Sequence, residues 1–384
     1  MRALILGAGM QGRAVAFDLV RSEGVEEVLL ADADLRKVEK AAAWLRSRKA
    51  RAGQLDVADR ERLVEAMRGF DVVISAVPYF YNLDIARAAV EAGVNMCDLG
   101  GNTDIVLREL ELDEAARRAG ISIVPDCGLA PGMTNVLAAS GIGKLDRAEE
   151  VRIRVGGLPQ TPRPPLDYKL VFSIHGLINE YVGRAAVLRE GKIAWVEALT
   201  GLEELEFPEP VGRCEAFHTA GGSSTLPWTY RGQVRELNYK TVRYPGHCAK
   251  VKAMRDLGLF DDQPVRVGDC EVKPRELFAV LASSRLDFPE DRDLVVLRVV
   301  VKGERDGERV EITYQMLDFY DEEHGITAMM RTTAYPVSIV AQMLAHGEIE
   351  AKGVLPPERA VPPELFVARL AERGIELVET IKSG

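Results

Sequence analysis

The chain has 384 residues, 47% hydrophobic and 28% charged, proportions that exclude a disordered or fibrous protein and allow an ample core. Its 49 Lys and Arg against 59 Asp and Glu give a net charge of −10. Without a basic cluster this argues against a nucleic-acid partner, and no apolar run nears the ~20 residues of a membrane span.

At roughly 150 residues per domain the length predicts two domains and a shorter third segment. From the start to about residue 126, short apolar runs (3–6, 28–31, 72–77, 96–99, 121–124) alternate with stretches of helical period (11–21, 35–46, 60–67, 83–91, 112–119). That alternation predicts βαβ units, hence an α/β domain with a doubly wound parallel sheet buried on both faces. Residues 156–165 contain four prolines within seven positions and predict a loop, because proline fixes φ and donates no ladder hydrogen bond. Strand-like pieces at 151–155, 192–195, 294–301 and 310–316 predict a second, largely antiparallel α+β domain, with a hairpin turn over 302–309. Long helices are expected over 326–345 and 363–373. The cysteines (Cys97, Cys127, Cys214, Cys248, Cys270) are widely spaced with no CxxC pair, so neither a metal site nor a disulfide framework is expected. The opening residues run straight into a strand pattern, which leaves no room for a signal peptide and points to the cytoplasm.

Gly7-Ala8-Gly9-Met10-Gln11-Gly12 is a GxGxxG string between a predicted strand and a predicted helix. Gly7 permits the tight turn, Gly9 admits a phosphate to the backbone, and Gly12 lets helix and strand pack. Asp32 closes the second strand twenty positions beyond Gly12, where a carboxylate accepts from the ribose hydroxyls of NAD and repels the 2′-phosphate of NADP. NAD is therefore the expected cofactor, although Arg36 and Lys37 follow the acid. Asp56 after the third strand, Ser75-Ala76-Val77-Pro78 after the fourth and Asp98 after the fifth are further candidates by position, since ligands of open α/β sheets sit beyond the strand carboxyl ends.

Beyond the sheet, Asp126-Cys127-Gly128-Leu129-Ala130-Pro131-Gly132-Met133-Thr134-Asn135, Gly222-Ser223-Ser224-Thr225-Leu226-Pro227-Trp228, Leu237 to His247 and Arg331-Thr332-Thr333-Ala334-Tyr335-Pro336 spread over nearly the whole chain. With the opening GAGMQG they give a sequence that resembles the saccharopine dehydrogenase-like family, most closely its lysine 6-dehydrogenase branch. The resemblance implies a Rossmann domain (1–127), a central substrate and dimerisation domain (128–325), and a C-terminal segment (326–384) returning to the first domain. It also implies a homodimer acting on a small amino acid. Arg243 is the candidate for the substrate carboxylate, with Lys240, Tyr239 and Cys127 as neighbouring substrate residues. Lys240 lies three residues before Arg243, so on a strand the two face opposite sides and one is expected inward. His175 stands where saccharopine reductases carry a carboxylate-holding arginine. That departure suits a smaller substrate and makes His175, with Asp98, a candidate general base.

The expected reaction is NAD-dependent oxidative deamination of lysine at the ε-amine, giving ammonia and the 6-semialdehyde, which cyclises. The rivals are a saccharopine dehydrogenase or reductase, or another secondary-amine oxidoreductase, and a non-catalytic NAD-binding sensor or scaffold.

Overall fold

The computed structural model describes residues 1–384, and the chain divides into two units. The first comprises Met1–Lys144, Ser224–Leu226 and Met330–Leu377. Its strands β1 (Arg2–Leu6), β2 (Glu27–Asp32), β3 (Ala50–Gln54), β4 (Val72–Ser75), β5 (Asn95–Asp98) and β6 (Ser122–Val124) pair in parallel in the order β3-β2-β1-β4-β5-β6. The short strand Gly353–Val354 adds a seventh beside β6. Both faces are covered, as the uninterrupted apolar runs require: Ala3 to Leu6 and Val72 to Ile74 have no exposed surface. The order reverses between β1 and β4, which places the ligand crevice of such a sheet beyond the ends of those strands.

The first unit does not stop at residue 127. The helix Met133–Gly143 belongs to it, because its residues are apolar almost all round and bury among the same elements. Residues 330–377 also join it. Ser338 Oγ donates to Asp18 Oδ2 (2.6 Å), and Arg373 Nε donates to Asp18 Oδ1 (2.8 Å), so one buried acid ties two late helices to the helix Met10–Arg21.

The second unit comprises Leu145–Ser223, Pro227–Met329 and Val378–Gly384. Its strands are β7 (Arg147–Pro159), β8 (Arg184–Arg189), β9 (Lys192–Glu197), β10 (Glu203–Phe207), β11 (Gly212–Phe217), β12 (Glu236–Arg243), the hairpin β13 (Val265–Val267) and β14 (Cys270–Val272), β15 (Asp293–Arg305) and β16 (Glu308–Phe319). A mixed sheet runs β10-β11-β12-β7-β15-β16 and ends on the C-terminal strand Val378–Ser383, with β8 and β9 attached to β12. Only β12 and β7 pair in parallel.

Two expectations are corrected here. Residues 156–159 are strand, not loop, since Gly156 pairs with Val296, and a Cβ on it would come within 2.5 Å of the Val242 carbonyl. The glycines let backbones approach, and proline is met only at the strand's last residue. The expected turn over 302–309 shrinks to Asp306-Gly307, both at positive φ, the Asp-Gly pair of a two-residue hairpin.

No helix is long and apolar enough to cross a membrane, and no group of three or more His, Cys, Asp or Glu is placed to hold a metal. Asp18→Ala strands the largely buried Arg373 without its partner. It is expected to cost about 3 kcal/mol, read as a lower urea midpoint; an unchanged midpoint would refute the tie between Asp18 and the late helices.

Candidate active site

The glycine string forms the turn from β1 into the helix Met10–Arg21. Gly7 has φ +102°, and its carbonyl oxygen lies 1.8 Å from where a Cβ on Gly12 would stand, so helix and turn meet with no room for a side chain. A Cβ on Gly9 would meet nothing within 4 Å, which leaves that stretch of backbone open to an approaching group. The helix start has no side-chain cap and no acid in its first turn. These features suit a pyrophosphate drawn to backbone N–H groups at a helix N-terminus, with Met10 and Gln11 in that first turn.

Asp32 ends β2 with its carboxylate fixed by the protein. Oδ2 accepts from Ala8 N (2.9 Å) and Oδ1 from Asp34 N (3.0 Å). Arg36 points into solvent and pairs loosely with Asp34 (3.5 Å). Beside β2 and β3 lies a largely apolar cavity of about 440 Å³ whose lining includes Leu29, Ala31, Gly53, Leu55 and Ala66. Its size and lining fit a flat aromatic base. Asp56 is exposed and accepts from Ala58 N (2.9 Å), a turn contact. Ser75 is buried and donates to Asn82 Oδ1 (2.7 Å), while Ala76 and Val77 are half-buried and Pro78 is exposed.

The chemistry concentrates at the ends of β5 and β6. Asp98 is fully buried; its Oδ1 accepts from Gly100 N (2.6 Å) and Asp126 N (3.1 Å), while Oδ2 has no partner. Burial pushes its carboxyl up to about 6 against the pull of those two N–H donors. Asp126 sits just past β6 at φ +60° and takes the Ser224 hydroxyl on Oδ2. Its Oδ1 is unpartnered and lies 1.8 Å from where a Cβ on Gly100 would stand. Burial first, then the Asp98 charge, raises its pKa. Glu109, on the helix Thr103–Leu110, is fully buried with neither carboxyl oxygen partnered. Burial, then the charges of Asp98 and Asp126, push it up to about 11.

Sequence reasoning missed Asp126 and Glu109. Asp126 had a positional signal, the end of a parallel strand. Glu109 had a fainter one, since it stands three residues after the buried Val106 on the apolar stripe of its helix. Cys127 is buried, with its thiol 3.2 Å from the Val124 carbonyl, and burial raises its pKa, which keeps it a thiol.

In the second unit Arg243 is 2% exposed and held by the Tyr181 hydroxyl (3.4 Å), Glu180 (3.3 Å) and the face of Tyr168 (4.7 Å). The hydrogen bonds continue from Tyr181 to His247 Nε2 (2.8 Å). His247 Nδ1 faces the Leu166 carbonyl (3.0 Å), which can only accept, so Nδ1 carries the proton. Burial, then the Arg243 charge, hold His247 down to about 3, so it stays neutral. Lys240 faces the other side of β12 and binds Glu203 (2.7 Å) and the Gly201 carbonyl (2.6 Å), where Arg154 also meets Glu203. Both Lys240 and Arg243 are thus buried, because this strand is covered on both faces. Tyr239 packs on Gly222, and its hydroxyl accepts from Thr241 (3.3 Å). His175 is exposed, one residue into the helix Ile174–Tyr181.

A parallel sheet of this order, with an open glycine turn and a fixed acid after β2, defines a dinucleotide-binding α/β domain. The family model described as "Saccharopine dehydrogenase NADP binding domain" matches residues 3–124, and "Saccharopine dehydrogenase C-terminal domain" matches 128–375. The chain belongs to the saccharopine dehydrogenase family. It is 24% identical to the saccharopine dehydrogenase [NADP(+), L-glutamate-forming] of Schizosaccharomyces pombe, over 98% of both chains. It is 25% identical to the mitochondrial alpha-aminoadipic semialdehyde synthase of Mus musculus, over 93% of this chain but only 45% of that protein, so it spans about half the length of that relative. The carboxynorspermidine synthase of Vibrio cholerae is 24% identical over 98% of this chain and 96% of its own. Apo saccharopine dehydrogenase (L-Glu forming) from Saccharomyces cerevisiae shares the fold, with a TM-score of 0.82 at 21% identity over 99% of each chain.

The buried carboxyls make stability depend on pH. Held neutral in the folded state, they keep protons that the unfolded chain releases near pH 4. Their contribution is therefore complete below that range and drains as pH rises, through about 6 for Asp98 and on toward about 11 for Glu109, by up to about 1.4 kcal/mol per pH unit per proton. Glu109→Gln removes one such proton while keeping the shape. Urea unfolding of this variant should lose stability less steeply than wild type between about pH 6 and pH 9; parallel curves would show that Glu109 is ionised in the fold.

Proposed function

We propose that the protein oxidises a primary amine, with the ε-amine of lysine as substrate and NAD as electron acceptor, releasing ammonia and the 6-semialdehyde. The observation that carries this reading is Asp98: a buried carboxyl at the end of a central strand of the dinucleotide sheet, with one oxygen unengaged and a proton affinity near neutrality. At neutral pH such a group is mostly ionised and accepts a proton from an ammonium, which leaves nitrogen its lone pair. A dinucleotide held by the turn Gly7–Gly12 and by Asp32 would supply the hydride acceptor for the carbon bearing that nitrogen. Water then adds to the iminium carbon, the C–N bond breaks, and ammonia leaves with the aldehyde, which closes on its own α-amine.

The buried cations of the second unit favour a substrate with few carboxylates. Arg243 is paired with Glu180, and Lys240 and Arg154 share Glu203, so these three cations are already matched by acids. NAD over NADP is favoured by Asp32, whose carboxylate is held by two backbone N–H groups at the end of β2, the position from which an acid takes ribose hydroxyls in dinucleotide folds. The relatives' names favour a second reading, reduction or cleavage of a secondary amine such as saccharopine.

Lysine and saccharopine assayed side by side for NAD reduction and ammonia release separate the two. Ammonia from lysine is expected, and NADH formed only with saccharopine overturns the first reading. Asp98→Asn should lower kcat/KM by about 100-fold or more and abolish an acid limb near pH 6. Asp32→Ser should cut the preference for NAD over NADP by at least about tenfold in kcat/KM, and an unchanged ratio would place cofactor choice elsewhere.

A further inference from the structure

A cavity of about 1080 Å³ opens in the second unit among residues that none of the preceding chemistry uses. Three segments enclose it: the start of β7, the turn from β8 into β9, and residues 231–235 leading into β12. Backbone hydrogen bonds fasten them to one another. Gly191 N donates to the Arg235 carbonyl (2.8 Å), Gly232 N to the Gly191 carbonyl (3.0 Å), and Arg235 N to the Glu149 carbonyl (3.1 Å). Gly191 and Gly232 stand at φ +72° and +78°, and a Cβ on Gly191 would lie 3.8 Å from the Gly232 Cα. The frame is thus set by main chain, and side chains are left to face the cavity.

Those side chains run against the charge of the whole, which is −10. Four cations, Arg147, Lys192, Arg231 and Arg235, line the cavity with two acids, Glu149 and Glu190. Arg147 is matched twice, by Glu149 (2.6 Å) and Glu304 (3.0 Å). Arg235 leans on Glu236 at 3.8 Å, the long end of an ion pair. Lys192 and Arg231 are exposed and take no ion partner from the protein, and neither does Glu190. The sum is an excess of positive charge on a fixed frame.

We propose that this cavity binds a small organic anion with two acidic groups, carboxylates or a phosphate ester, held by Lys192, Arg231 and Arg235. An arginine fork matches either kind of acid with two parallel N–H donors, and a lysine adds a point charge. The volume stands at the upper end of the ~300–1,000 Å³ of ligand pockets, so it takes an organic body along with the acid groups. A nucleic-acid backbone calls for an unbroken basic track, and here Glu149 and Glu190 interrupt it. The site is separate from Arg243. Strand β12 starts beside the cavity at Glu236 and reaches Arg243 seven residues on, about 23 Å away at ~3.3 Å per residue. Binding here is independent of the proposed reaction.

Titration calorimetry of the full chain in low salt, with glutarate and with glucose 6-phosphate, tests this. At least one of the two is expected to bind at one site per chain with a Kd below about 1 mM, and to weaken as NaCl rises. Binding of glutarate alone makes it a dicarboxylate site, and of glucose 6-phosphate alone a phosphate site; either supports the proposal. Lys192→Ala with Arg231→Ala should weaken binding by about tenfold or more, while Arg213→Ala, at an exposed arginine on β11, should leave it unchanged. Neither Lys192 nor Arg231 holds an ion partner in the fold, so the double variant should melt with wild type. If it unfolds instead, Lys192→Gln with Arg231→Gln decides the matter on the same terms. No binding of either ligand, or equal affinity in the double variant, overturns the proposal. Heat that vanishes when NAD is present assigns the anion to the glycine turn and equally overturns it.

Discussion

Three carboxyl groups, Asp98, Glu109 and Asp126, lie buried together at the end of a parallel sheet with no cation among their contacts. Ionising all three there would cost several kcal/mol per charge, on the order of the fold's whole margin of stability, so the cluster keeps protons or neutralises charge through donors. It does both. Two backbone N–H groups converge on Asp98, the Ser224 hydroxyl serves Asp126, and Glu109, which has neither, stays protonated. The surrounding loop is organised by the same demand. Asp126 accepts a left-handed backbone to present its amide to Asp98, and the following segment is anchored by Asn135 on Glu358, which also takes Thr225. Proton affinity near neutrality is thus a consequence of how this corner is built, and the proposed amine chemistry draws on it.

Matched charge governs the second unit in a different way. Arg243 with Glu180, and Lys240 and Arg154 with Glu203, occupy opposite faces of β12. Removing either acid would leave a buried cation unpaired, so these pairs hold the sheet's two faces together as much as they mark a site. A substrate carboxylate reaching Arg243 has to share that guanidinium with Glu180. Arg243 can do so because its fork has five N–H donors, and the contacts it makes do not exhaust them.

The parts of the molecule legible in the sequence are those whose cause is local. The glycine turn, Asp32 and the parallel strands follow from spacing and apolar runs, since a doubly buried strand needs only its own residues to declare itself. Asp126 and Glu109 acquire their character from neighbours far apart in the chain, and an acid on an apolar helix stripe is the only trace Glu109 leaves. His175 is the reverse case: a residue type that suggests chemistry, placed on an exposed helix start. The tract at 156–159 reads as loop by composition and is strand by context, because β12 and β15 crowd against glycines that have no side chain to resist. The helix Met133–Gly143 was hidden for the same reason, since what places it in the first unit is its packing and not a feature of its own residues.

Asp32 joins the local and the distant. Its carboxylate accepts one N–H from the glycine turn and another from its own loop, so it fastens the end of β2 to the turn that receives the phosphates. Each oxygen retains a lone pair for a ribose hydroxyl, and the negative charge cannot swing aside to make way for a 2′-phosphate without releasing those two donors. In a family whose nucleotide domain is described for NADP, such an acid has to be outweighed by nearby cations if the phosphate is to bind. Arg36 is turned to solvent and leans on Asp34 instead. The same two hydrogen bonds that stiffen the turn therefore set the charge the cofactor meets, and a substitution that relaxes selectivity at this position also loosens the loop that holds the pyrophosphate.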